Sequence, residues 1–190
     1  VDTDATKILY LGAGTTFFTG ADTLSLFNAS HTAKEAANQS NTTTNVLSYD
    51  NLKTAIQAMD RFYDNKGVQL APCQRLRLVV AREKKERAEE ILRSIGNPDN
   101  ANRVTNVFNN GAGSIDLKVA NWIPPTTYSN YWFVIDLERA AKMAWMVWGW
   151  KAKFDRDNIV NNGSTIYTGS VHFAPGWSYW RWADGIQAGS

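Results

Sequence analysis

Few residues in this 190-residue chain have both the type and the spacing that chemistry requires. Gly12-Ala13-Gly14 follows Lys7–Leu11, a short β-rich run, as a dinucleotide-binding turn follows its first strand. That turn needs a third glycine so that a helix can begin hard against the pyrophosphate. Phe17 stands at that position and no helical pattern follows it, so a plain glycine-rich turn is expected. Cys73 is the only cysteine, which excludes an internal disulfide and every cysteine-based zinc pattern. His31 and His172 are the only histidines, too few for a multi-histidine metal site. Asp155-Arg156-Asp157-Asn158 begins like a calcium loop but lacks its glycine and terminal glutamate. Ser178 in Gly176-Trp177-Ser178-Tyr179-Trp180 misses the second glycine of a nucleophile elbow. No paired-carboxylate or Cys/His arrangement stands out. The sequence therefore predicts no enzyme, no cofactor and no metal site.

Charge and composition narrow the class further. Lys and Arg total 20 against 18 Asp and Glu, a net charge of +2. A domain that reads nucleic-acid sequence is usually more basic. The densest charge run, Arg82 to Arg93, mixes five basic with four acidic residues. Its Glu83/Arg87 and Glu89/Arg93 spacings suit helical ion pairs, so a solvated helix face is expected. No apolar run approaches the ~18–20 residues of a membrane span. The chain opens on Val1 rather than Met, which suggests a processed or truncated product. Asn28, Asn38, Asn41 and Asn162 begin glycosylation triplets, which matter only in a secreted eukaryotic protein. The conspicuous feature is tryptophan: six of the eight lie between Trp145 and Trp182. Core or interface is the default expectation for them.

The elements that must position these residues follow from periodicity. The stretch 28–45 is polar throughout, without one large apolar residue, and reads as a long loop. Ser48 is an N-cap, and Leu52, Ala55, Ile56, Met59, Phe62 and Tyr63 form one stripe, predicting a helix over 49–63. Leu76 to Val80 reads as a buried strand that runs directly into a helix over 82–95, with Ala88, Ile91, Leu92 and Ile95 inward. Beyond Gly96 the character is mostly β. Strands are expected at 103–108, 115–119, 131–135, 143–154 and 166–173, with breaks at 109–113, Pro124-Pro125 and 161–163. Residues 177–182 alternate in type. The fold class is α+β.

One order of features resembles a known family. Asp22-Thr23-Leu24-Ser25-Leu26-Phe27 followed by His31 is similar to the "acidic, Leu-Phe, His" box of tailed-phage major capsid proteins, the Mu-like head subunits and their kin. The helix that follows in that family resembles Leu47-Ser48-Tyr49-Asp50-Asn51-Leu52-Lys53-Thr54-Ala55-Ile56-Gln57-Ala58-Met59. Pro72, Leu78-Val79-Val80, the helix from Glu83 to Ile95, Asn102 to Asn109, Trp132-Phe133-Val134-Ile135-Asp136 and Trp180-Arg181-Trp182 follow in the family's order.

The resemblance implies the Hong Kong-type phage major capsid fold. Residues 1–46 would hold the extended loop and a preceding strand, with Asp22 to Val46 overlapping a neighbouring subunit. Residues 47–95 would supply the long spine helix and a strand-helix of the peripheral domain. The axial domain would span 96–161, and 162–190 would return to the peripheral domain. The implied function is a structural major capsid protein that self-assembles into pentamers and hexamers of an icosahedral shell around double-stranded DNA. Its partners would be itself, the packaged DNA held non-specifically, and scaffold, portal and decoration proteins, with no membrane. It would be assembled in the bacterial cytoplasm and reside in the virion. Leu26, Phe27, His31, Lys34, Trp180, Arg181 and Trp182 would make subunit contacts. The alternative is a secreted, Trp-rich carbohydrate-binding module, monomeric and glycosylated; the helical region 48–95 is more than a simple lectin sandwich needs.

Overall fold

The computed structural model describes residues 19–102, 104–109, 115–123, 128–159 and 164–186. The strand expected at 7–11, the turn bearing Gly12, Gly14 and Phe17, Pro124-Pro125 and the break at 161–163 lie outside them. The described residues form a mixed arrangement of three α-helices and two sheets.

The first sheet has five strands: β1 (Thr42–Thr43), β2 (Leu76–Ala81), β3 (Asp116–Ala120), β4 (Trp132–Asp136) and β7 (Ala183–Ile186), in the order β1-β7-β4-β2-β3. β4 is antiparallel to both neighbours, pairing Val79 with Phe133 and Val134 with Asp184. β2 and β3 are parallel, as are β1 and β7. All five residues of β4 and the last four of β2 are buried, as expected of central strands covered on both faces. Gly185 of β7 lies where a Cβ would come within 2.4 Å of the Phe133 ring and 2.9 Å of the Phe27 ring, so only glycine fits between them. β3 and β4, which the resemblance would put in the axial domain, pair with β2 and β7 and share one core with them.

Helix α1 (Tyr49–Asp60) starts where Ser48 predicts: its hydroxyl accepts the Asn51 N–H at 3.2 Å. Tyr49, Leu52, Ala55 and Met59 form its buried stripe. It stops short of 63 for a tertiary reason. The Gln39 amide accepts from the Tyr63 N–H and donates to the Tyr63 carbonyl, both at 3.0 Å, which takes that residue out of the helix. The second predicted helix divides into a 3-10 turn (Arg82–Lys84) and α2 (Lys85–Arg93). Asn106 ends α2 by donating to the carbonyls of Ile91 (2.6 Å) and Ser94 (2.9 Å). That buried role explains two corrections: 104–109 holds no strand, only an isolated bridge from Thr105 to Gly96, and Ile95 points out at 82% exposure. Arg87 pairs with Glu90 and Asp99 rather than with Glu83. The Asp99 carboxylate also accepts the Tyr49 N–H at 2.7 Å, tying this loop to the start of α1.

A third helix, α3 (Leu137–Met143), fills the gap between the strands expected at 131–135 and 143–154. Asp136 caps it, accepting from Glu138 N–H at 3.0 Å and Arg139 N–H at 3.4 Å. The second sheet follows without a break: β5 (Ala144–Ile159) pairs antiparallel with β6 (Ser164–Trp177).

Candidate functional site

Two neighbouring regions hold the residues singled out by sequence. The first is a buried polar knot under the Trp-Arg turn. The polar stretch 22–46 does not extend away from the chain, as expected, but folds against its own core. His31 and Gln39 exchange backbone hydrogen bonds at 2.7 and 3.0 Å, closing a short loop. Asn41, fully buried, donates to the carbonyls of Leu26 (2.8 Å) and Ala183 (3.0 Å) and accepts the Asn28 N–H at 3.0 Å. Side-chain amides thus satisfy backbone groups that would otherwise be buried unpaired. Burial also keeps Asn41 from serving as a glycosylation acceptor in the folded chain.

His31 sits at the centre of the knot. Its ring stacks on Trp180, with centroids 4.1 Å apart, and Phe62 meets the same indole edge-on at 4.9 Å. Nε2 faces Asn41 Oδ1 at 3.0 Å and Nδ1 faces Asp22 Oδ2 at 2.6 Å. Both partners are acceptors, because the Asn41 amide nitrogen is spent on two carbonyls. A proton must therefore occupy the Asp22–His31 contact. Burial pulls the His31 pKa below its usual value, against the opposing pull of Asp22. Of the seven residues expected to make subunit contacts, Leu26, Phe27, His31, Trp180, Arg181 and Trp182 are all buried within the chain. Only Lys34 is left on the surface.

Sequence reasoning missed Arg139. It is buried and pairs with Asp136 at 3.3 Å, then donates to the carbonyls of Met59 (3.0 Å), Ala71 (2.5 Å) and Arg181 (3.3 Å). One guanidinium joins the end of α1, the loop before β2 and the Trp-Arg turn. The Asp136–Arg139 spacing of three was the available signal. Burial pushes the Cys73 thiol up to about 12, away from the thiolate form that nucleophilic chemistry needs.

The second region is the β5–β6 hairpin. Its strands have 16 and 14 residues; extended strands of that length reach about 50 Å. Two extra residues on β5, at register shifts between Trp148 and Trp150 and between Trp150 and Lys153, account for the difference. Aromatic rings line the ladder. Trp148 meets Phe173 at 5.5 Å and Trp150 meets His172 at 4.7 Å. The rings of Trp145 and Phe154 lie over Gly176 and Gly169, filling the space those glycines leave. Yet most of this apolar surface faces solvent. Trp145, Met146, Val147, Trp148, Trp150, Ile166, Tyr167 and Val171 are all exposed, and Phe154 is 88% exposed. Lys151, Lys153, Asp155, Arg156 and Asp157 add charges of both signs toward the far end.

Among the described residues no three His, Cys, Asp or Glu side chains gather as metal ligands, and no helix is long and apolar enough to cross a membrane. No protein-family model, curated protein or solved structure matches the chain.

Proposed function

We propose that this protein is a structural subunit that assembles with copies of itself through the β5–β6 hairpin. The reading is carried by one observation: a hairpin longer than any other element displays a row of tryptophans and a phenylalanine to solvent. A two-stranded hairpin is marginally stable alone, and an exposed apolar area of this kind marks a surface made to be covered. The occupant proposed is a second copy of the chain. Cations and carboxylates lie side by side on the same hairpin, so the surface complements itself. The polar knot supports the reading from the other side, because the buried Trp180-Arg181-Trp182 turn follows β6 directly and anchors the hairpin's base in the core.

The finer form of the proposal is a major capsid protein of the tailed-phage type. It forms pentamers and hexamers of an icosahedral shell that encloses double-stranded DNA, and scaffold, portal and decoration proteins are its further partners. Its supports are the colinear boxes from Asp22 to Trp182 and the near-neutral charge. That charge suits a wall that touches DNA through scattered Lys and Arg without reading it. The hairpin would then be the reaching element, in place of the 22–46 stretch.

The exposed tryptophans also favour a carbohydrate-binding module, in which the rings are platforms for sugars. Electron microscopy and sedimentation of the full-length protein separate the two. Rings or shells support the structural reading. A monomer whose tryptophan fluorescence responds to glycans replaces it with the module.

A further inference from the structure

Among the described residues of the knot, Arg181 is a buried cation that no carboxylate contacts. It is only 4% exposed, yet its guanidinium makes a single hydrogen bond within the described residues, from Nη2 to Asn65 Oδ1 at 2.8 Å. Nε has no partner. Below it lies the Trp180 face, 4.9 Å from the guanidinium carbon, with the Tyr179 ring at 5.8 Å. The nearest carboxylates, Asp22 and Asp64, act on it only at a distance. Asp22 is committed elsewhere, one oxygen to His31 and the other to the Leu24 N–H. Asp64 accepts the backbone N–H groups of Lys66 and Val68. A buried guanidinium left like this is costly, and burial lowers its pKa.

The same residue lines a cleft of about 270 Å³, with Asp22, Thr32, Lys34, Asn65, Tyr179 and Trp180 around it. Lys34 is exposed on that lining and makes no ion pair among the described residues. We propose that this cleft is a carboxylate-binding site, with Arg181 as the buried fork, Lys34 as the outer cation and the Tyr179–Trp180 rings as the wall against which the carboxylate's stem lies. Guanidinium matches a carboxylate with two parallel hydrogen bonds. A phosphate puts up to two charges on the one group seated at the fork and a carboxylate puts only one there, so the nearby Asp22 and Asp64 disfavour phosphate more. The carboxylate has two sources: a free organic acid, or an acidic side chain of a second copy, for which the exposed Asp155 and Asp157 of the hairpin are the available groups. The site stands apart from the shell reading; only its second source rests on it.

The test has two arms on the full-length protein. In the first, the unassembled chain is titrated with succinate against sodium chloride of matched ionic strength, with tryptophan fluorescence and thermal midpoint as readouts. A saturable change is expected, weakened about tenfold in Lys34→Glu, the size of one charge contact at the mouth turned from attraction to repulsion. Arg181→Lys, which keeps the charge and loses the fork, should weaken it as well without unfolding the knot. In the second arm, self-association is measured for Lys34→Glu, for Asp155→Asn/Asp157→Asn, and for all three changes together. Equal and non-additive losses assign the carboxylate to a neighbouring copy. Succinate binding with no such coupling assigns it to a free acid. Inorganic phosphate binding more tightly than succinate overturns the choice of carboxylate. Absence of both the succinate response and the coupling overturns the site. A chain that never self-associates overturns the shell reading while the succinate arm still reports on the cleft.

Discussion

Trp180 and Trp148 are the same residue in the same third of the chain, and the molecule uses them in opposite ways. Trp180 is 2% exposed and is held on three sides by His31, Phe62 and Arg181, each from a different part of the sequence. Trp148 is 49% exposed and touches one ring, Phe173, across its own hairpin. The first has its partners within one chain. The second has room for a partner that the chain does not supply. Tryptophan density therefore marks two things here, a core corner and an uncovered surface, and only the company each ring keeps tells them apart.

That contrast can be broken most severely at Trp180. Trp180→Ala should cost about 3–5 kcal/mol and leave a chain that unfolds or aggregates, as thermal melts would show. A mild loss would mean the knot is less integral than its packing implies.

Asp184 tests the same core through pH. It is buried in β7 beside Val134, and burial raises its carboxyl to about 7 from the ordinary 3.8. Below pH 3.8 both states hold the proton and the group is neutral for stability. As pH climbs from there to about 7 the unfolded chain releases its proton first, so stability falls, and above that range the loss is complete. The shift corresponds to roughly 4 kcal/mol as an upper bound. Asp184→Asn should match the parent near pH 4 and exceed it at pH 8 in denaturant melts. Identical curves at both pH values would contradict the assignment. His31, lowered by burial, has the opposite slope, so the difference between the two chains isolates Asp184.

Glycine substitutions sharpen the contrast further. Gly185→Ala forces a methyl into the Phe27–Phe133 contact and should cost about 1–3 kcal/mol. Gly169→Ala meets the Phe154 ring at 3.3 Å, and that ring is free to swing into solvent, so its melting temperature should barely move. Smallest of all in stability is the hairpin triple Trp148→Thr/Trp150→Thr/Phe154→Thr. Threonine keeps the strand preference, and the change should stay within about 0.5 kcal/mol of the parent while abolishing self-association.

How much of this was legible depended on whether an element's limits are local. The start of α1 was readable because Ser48 and the Leu52, Ala55, Met59 stripe are neighbours in sequence. Its end was not, because Gln39 decides it from 24 positions away. Asn106 hid in the same way: its alternating neighbours read as a strand, while its own amide is the stop of α2. Helix α3 was missed because its cap, Asp136, is also the last residue of a buried strand. The hairpin's strands were visible as β-rich runs, but sequence cannot say that nothing folds over them. Asp22, His31 and the Trp-Arg turn were singled out together and do meet in space. Their burial was not foreseen, since a polar stretch without hydrophobic periodicity looks free until its amides are seen paired with the backbone.

The account's central claim is that the hairpin is covered by another copy of the chain. Negative-stain electron microscopy with sedimentation velocity, on the full-length protein and on the hairpin triple in parallel, tests it most directly. Rings or closed shells are expected for the parent, and a folded monomer of unchanged melting temperature for the triple. A parent that stays monomeric under assembly conditions, or a triple that still builds the same particles, would contradict it.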